Sequence, residues 1–227
     1  MANVLLGVTG SVAAIRTPDL YGLLRQAGYS VKVVATPASL YFFDPAALDP
    51  ARPERNPDVV ILDADEWPGL DAGRRWQRGE PVLHIRLRRW ADLLLIAPLD
   101  ANTLAKLANG LADNCLTCVW RAWEPGRPVV LAPAMNTLMW QHPATGRHLR
   151  QLAADAGAGE IDAGLDLDGV IRQINAVCPR VRVVPPQTKL LADGDYGVGG
   201  LAELESIVGA VRTLLPPAGD QESYPKD

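Results

Sequence analysis

From the third residue onward, short apolar runs rich in β-branched residues alternate with longer stretches of helical periodicity. Few folds are open to a chain patterned this way. Strands that are apolar on both faces need cover on both, and a parallel sheet gets it from the crossover helices that join its strands. The pattern predicts an open α/β sandwich. Strands are expected at 3–8, 31–36, 59–62, 93–97, 129–132, near Glu160, and at 181–184. Helices are expected at 11–27, at 102–123 with a break at Gly110, at 136–156 with a break at His142-Pro143, at 168–176 and at 201–215. The stretch 63–79 is charged and punctuated by Pro68, Gly69, Gly73 and Gly79, so it reads as a long surface loop. With 227 residues the chain can bury one full core. A single domain over 1–215 followed by a disordered tail at 216–227 is the expected organisation.

Charge and cysteine usage narrow the class. A formal charge of −4 gives no basic field for a phosphate backbone, which argues against nucleic acid as a partner. No apolar run reaches the ~18 residues of a membrane span, and the N-terminus has no basic segment leading into an apolar one. A cytoplasmic protein is therefore expected. The three cysteines, Cys115, Cys118 and Cys178, are an odd set that suits reduced thiols. Cys115-x-x-Cys118 has the spacing of half a zinc site, but no second pair or His follows, so no metal is expected.

Four strand ends carry polar residues. The first strand runs into Gly7-Val8-Thr9-Gly10-Ser11 and then a helix, a turn that presents backbone N–H groups and a dipole to a phosphate. An ordinary βα turn with Ser11 as N-cap fits this segment equally. It is neither G-x-G-x-x-G nor a P-loop. The second strand ends in Ala35-Thr36, with Ser39 nearby, and offers hydroxyls instead of the acid that takes a dinucleotide ribose. A mononucleotide is the better match. Next, Asp100-Ala101-Asn102-Thr103 opens a helix after the most apolar strand, and Pro133-Ala134-Met135-Asn136 follows the fifth. In an open α/β sheet the three turns after the first, fourth and fifth strands fall on the edge where ligands bind.

GVTGSVAA at 7–14, DADEW at 63–67, the run PVLHIRLRRWADLLLIAPLDANTLAKLANG at 81–110, DNCLTCVWRAW at 113–123 and PAMNTLMWQHP at 133–143 are the residues that carry a resemblance. At them the chain resembles the flavin-dependent cysteine decarboxylases, and KLLADGDYGVGGLAE at 189–203 matches more loosely. The resemblance implies a flavodoxin-like (Rossmann-type) fold, bound FMN, and a homotrimer with the flavin at subunit interfaces. It also implies oxidative decarboxylation of a terminal cysteine. A cysteine carboxylate loses CO₂ reluctantly because the carbanion has no electron sink; oxidation of the C–S unit to a thioaldehyde creates one, with the flavin as hydride acceptor. Gly10, Ser11, Val12, Thr36, Ser39, Asp100, Ala101, Asn102, Thr103 and Met135 are the expected cofactor residues. By resemblance His84 is the base, Asn136 binds the substrate carboxylate and Lys189 lies on the substrate side, whereas His142 and His148 read as structural.

One position departs from the family. Its C-terminal flap carries a Cys that protonates the enethiolate, and this chain has Asp193 there, with Leu201 in place of a Met. The family branch acting in coenzyme A synthesis, whose substrate is a pantothenoyl-linked cysteine, is the nearer match. Asp193 keeps two alternatives in play: a peptidyl-cysteine type of enzyme that releases an enethiol, and a non-catalytic regulatory flavoprotein. Cys178 reads either as a substitute thiol or as a small core residue. A flavin prenyltransferase is a more distant alternative.

Overall fold

The computed structural model describes residues 1–52, 54–192 and 194–217. The first half of the chain gives β1 (Asn3–Val8), α1 (Thr17–Gln26), β2 (Ser30–Ala35), β3 (Val60–Leu62), α2 (Leu83–Trp90), β4 (Leu93–Leu99), α3 (Ala101–Asn109) and α4 (Cys115–Arg121). The second half gives β5 (Val129–Pro133), α5 (Thr137–Gln141), α6 (Pro143–Asp155), α7 (Leu167–Val177), β6 (Val181–Val183), β7 (Gln187–Leu190), β8 (Tyr196–Gly200) and α8 (Leu204–Leu214).

Six strands form one sheet in the order β3-β2-β1-β4-β5-β6, every neighbouring pair parallel. The chain winds outward from β1 to β3, returns to the centre, and winds the other way from β4, so the strand order reverses between β1 and β4. Without the short edge strand β3 the order is that of a flavodoxin. Period-two alternation divides the core: Val4, Leu6 and Val8 join Leu93, Leu95 and Ala97 under α1 and α8. Leu5, Leu94, Ile96 and Leu99 face α2, α3, α4, α6 and α7 on the other side. All of β4 is buried, which is why its sequence is one unbroken apolar run. At roughly 1.5–3 kcal/mol per buried aliphatic side chain, this central strand is a large contributor to stability.

Several element boundaries differ from the sequence expectation, each for a local reason. The helix expected from Ser11 begins as a 3-10 turn, Val12–Arg16, and becomes α-helical at Thr17. Pro18 sits in its first turn, where a missing N–H costs nothing. The break expected at Gly110 within 102–123 is present: Gly110 ends α3 in the left-handed region at φ 69°, and Asn114 starts α4 by accepting from the Thr117 N–H. The strand expected near Glu160 does not form. Gly157 and Gly159 both take positive φ there, and the place beside β5 is filled by β6, with Val129 opposite Val181. Within the expected loop at 63–79, Asp63–Glu66 is a 3-10 turn with Glu66 buried. The tail expected from 216 lies outside the described residues from 218 on.

Candidate active site

Where the winding reverses, the turns after β1 and β4 are bound to each other. The buried Thr9 hydroxyl donates to the Pro98 carbonyl at 2.8 Å and accepts from the Asp100 N–H at 2.7 Å. Asp100 in turn caps α3, accepting from the Thr103 N–H at 2.6 Å. Gly10 is needed at the junction: a Cβ there would lie 2.6 Å from the Ala38 Cβ and 3.2 Å from an Asp100 oxygen. Four backbone N–H groups of these turns, those of Gly10, Val12, Ala101 and Asn102, donate to nothing among the described residues. Unpaired N–H groups at a helix start suit an anion.

These turns line a cleft of about 700 Å³. Gly10, Ser11, Val12, Asp100, Ala101 and Asn102 form one wall, and Met135 and Asn136 of the β5–α5 turn form another. Asn136 also caps α5, its Oδ1 accepting from the Leu138 N–H at 2.8 Å. The antiparallel hairpin β7–β8 covers one side and contributes Lys189, Leu190, Leu191 and Ala192. It is anchored by the Met135 N–H donating to the Gly199 carbonyl at 2.9 Å. Only glycine allows that approach, since a Cβ on Gly199 would lie 2.1 Å from the Met135 oxygen. Asp193, between the two strands, lies outside the described residues.

Not every expected residue reaches the cleft. Thr36 and Ser39 are buried, and their hydroxyls donate to the Val8 and Thr36 carbonyls. Neither hydroxyl is on the cleft wall, and Thr103 is likewise buried behind it. His84 is absent from the wall as well. It sits in the first turn of α2, where its Nδ1 lies 2.6 Å from Glu66 Oε1 and its backbone N–H donates to Glu66 Oε2 at 3.0 Å. A second groove of about 500 Å³ opens beside the pair, lined by Glu66, Trp67, Trp76 and Val82 among others.

The thiols are placed away from the cleft. Burial, then the facing Glu66 carboxylate, pushes the Cys115 thiol far up, and the same two causes raise Cys118. The Cys115 N–H donates to Asp63 at 2.7 Å. Cys178 is buried in the helix-covered layer opposite α1 and α8 and does not line the cleft, as a small core residue would be. Among the described residues, no group of three or more His, Cys, Asp or Glu is arranged to hold a metal ion.

Sequence reasoning missed Thr9 and Glu66, which hold other residues in place, and Phe42, Met139 and Arg16, which line the cleft. The acid in DADEW was a visible signal for Glu66. Nothing local marks Thr9, because its partners stand 89 and 91 positions away.

A doubly wound sheet with such a cleft at its switch point defines a nucleotide- or flavin-binding class, and the chain belongs to the Flavoprotein family, whose model matches residues 1–215. Within it, the chain is 42% identical over 219 residues to phosphopantothenoylcysteine decarboxylase of Mus musculus, covering 96% of this chain and 89% of the relative. A solved structure of a Cys-to-Ser variant of PPC decarboxylase, complexed with pantothenoylaminoethenethiol, aligns with a TM-score of 0.72 at 42% identity, over 93% of this chain and 96% of that one. The FMN-binding protein AtHal3 aligns with a TM-score of 0.68 at 42% identity, over 94% and 96%.

Proposed function

We propose that the protein is an FMN-dependent carboxy-lyase that decarboxylates the cysteine unit of phosphopantothenoylcysteine in coenzyme A biosynthesis. The observation that carries this reading is the switch-point cleft, where unpaired N–H groups from two turns face the wall bearing Met135 and Asn136. Such a cleft fits a flavin mononucleotide: Gly10, Ser11, Val12, Ala101 and Asn102 would hold its phosphate and chain, Asp100 and Met135 would flank it, and Thr36, Ser39 and Thr103 would shape the turns from behind. Bound FMN supplies a hydride acceptor, which gives the cysteine carbon framework its electron sink. Asn136 donates to the substrate carboxylate without adding charge, Lys189 adds a cation on the hairpin side, and His84 takes the proton.

His84 lies off the cleft wall, so a second copy of the chain is the natural way to join the two. Around the cleft Ile15, Leu138 and Met139 are exposed, and beside His84 so are Trp67 and Trp76. Two unlike apolar surfaces on one chain suit a heterologous contact, which forms a ring when its rotation closes. A homotrimer of single 1–215 domains in the cytoplasm is the assembly proposed. No helix among the described residues is long and apolar enough to cross a membrane.

Asp193 favours a second form of the same reaction. A relative in which a Cys has become Ser is solved in complex with pantothenoylaminoethenethiol, and a chain with Asp in place of the flap thiol would release an enethiol. Incubation of the purified protein with phosphopantothenoylcysteine, followed by mass analysis, tests the reading. The saturated amine-thiol or a product lighter by two hydrogens is expected, with FMN released on heating. Unchanged substrate, or recovery of FAD, would overturn it.

A further inference from the structure

The pair Glu66–His84 is built more strongly than an incidental surface contact. Glu66 is an acid buried to 6% exposure, an uncommon position for a carboxylate unless its oxygens are matched. Both are matched to one residue: Oε1 meets His84 Nδ1 at 2.6 Å and Oε2 accepts the His84 backbone N–H at 3.0 Å. Two contacts from one carboxylate fix both the imidazole and the start of α2 that carries it. The 3-10 turn Asp63–Glu66 is itself fastened, because the Leu62 N–H donates to Asp65 Oδ2 at 2.8 Å and Asp65 pairs with Arg55. On the far side Glu66 faces Cys115 of α4, whose backbone is held by Asp63. Among the described residues that line the cleft, Glu66 is absent.

We propose that Glu66 is the positioning residue of the base: it holds the Nδ1–H tautomer of His84, so that the lone pair offered for proton removal is always on Nε2. A carboxylate only accepts hydrogen bonds, so the ring nitrogen facing it must carry the hydrogen. The uncharged imidazole has one hydrogen to place, and Nε2 is left as the acceptor. The logic is that of a carboxylate that orients a catalytic imidazole without taking its proton. The inference rests on the reading of His84 as the base.

Glu66→Gln is the discriminating variant. An amide has one acceptor oxygen where the site needs two, so its NH₂ must face either the ring nitrogen or the backbone N–H, and the tautomer is released. In FMN-loaded wild type, nitrogen-15 correlation spectra of His84 should place the proton on Nδ1. Glu66→Gln should give a mixture or the other tautomer. Its kcat should fall roughly 100-fold, within the range seen when an orienting partner is lost, with KM changed less than about threefold. Glu66→Asp keeps both acceptors on a shorter stem and should recover part of kcat. A wild-type proton on Nε2, or a Glu66→Gln variant with unchanged kcat and tautomer, would overturn the proposal. If both variants fail to fold, the wild-type tautomer still decides. A His84→Asn variant run alongside separates the two layers: full turnover there defeats the assignment of the base, whereas an inactive His84→Asn with a fully active Glu66→Gln defeats only the role of Glu66.

Discussion

At the scale of single residues, the departure at Asp193 bears on how the proposed reaction would end. In the sequence Asp193 follows Ala192, which lines the cleft. A free carboxylic acid has a pKa near ~3.9 and is a poor proton donor at neutral pH, whereas a thiol titrates near ~8.5 and still carries its proton there. The wild type should therefore release CO₂ close to once per flavin under anaerobic conditions and then stop, with enethiol as the main product. Asp193→Cys should turn the product over to the saturated aminoethanethiol amide and restore repeated turnover. Mass analysis of the two reactions checks this, and saturated product from the wild type would show that the acid, or water, already donates. Cys178 is not available for the task, because it is buried in the opposite layer of the core.

Among the elements, the hairpin β7–β8 makes the clearest demand on sequence. Gly199 holds φ 139° with the Met135 carbonyl where its side chain would be. Gly199→Ala should break the Met135–Gly199 hydrogen bond and lift the hairpin from the cleft, at a cost of about 1–3 kcal/mol. FMN should bind at least tenfold more weakly and proteolysis should shift to the hairpin; unchanged affinity and cleavage would mean that the hairpin is not anchored there. Such features explain which elements could be read in advance. The buried strands and the three polar turns are local patterns, a period of two or a cap beside an apolar run, and all three turns do meet in one cleft. The split between α3 and α4 was legible at Gly110, whereas the hairpin strands and the missing strand near Glu160 depend on tertiary partners or on paired glycines. The Glu66–His84 contact spans 18 residues across an apparent loop, and no periodicity encodes it.

For the molecule as a whole, the expected base and the expected carboxylate site lie on different parts of one chain. His84 is held beside α4 by Glu66, while Asn136 is on the cleft wall with the hairpin. The proposed heterologous ring would join such separated halves by bringing the α2 face of one copy to the cleft of the next. His84→Asn and Asn136→Asp should each be inactive when pure: the first lacks the base, and the second sets like charges against the substrate carboxylate. Refolded together in equal amounts, they should regain activity. A working site then needs His84 from an Asn136→Asp copy and Asn136 from a His84→Asn copy, so about a quarter of the sites in a randomly mixed ring are intact. Recovery near that fraction, dependent on mixing before assembly, is the expected result. If both residues served a site within one chain, every site in the mixture would carry one defect and no activity would return.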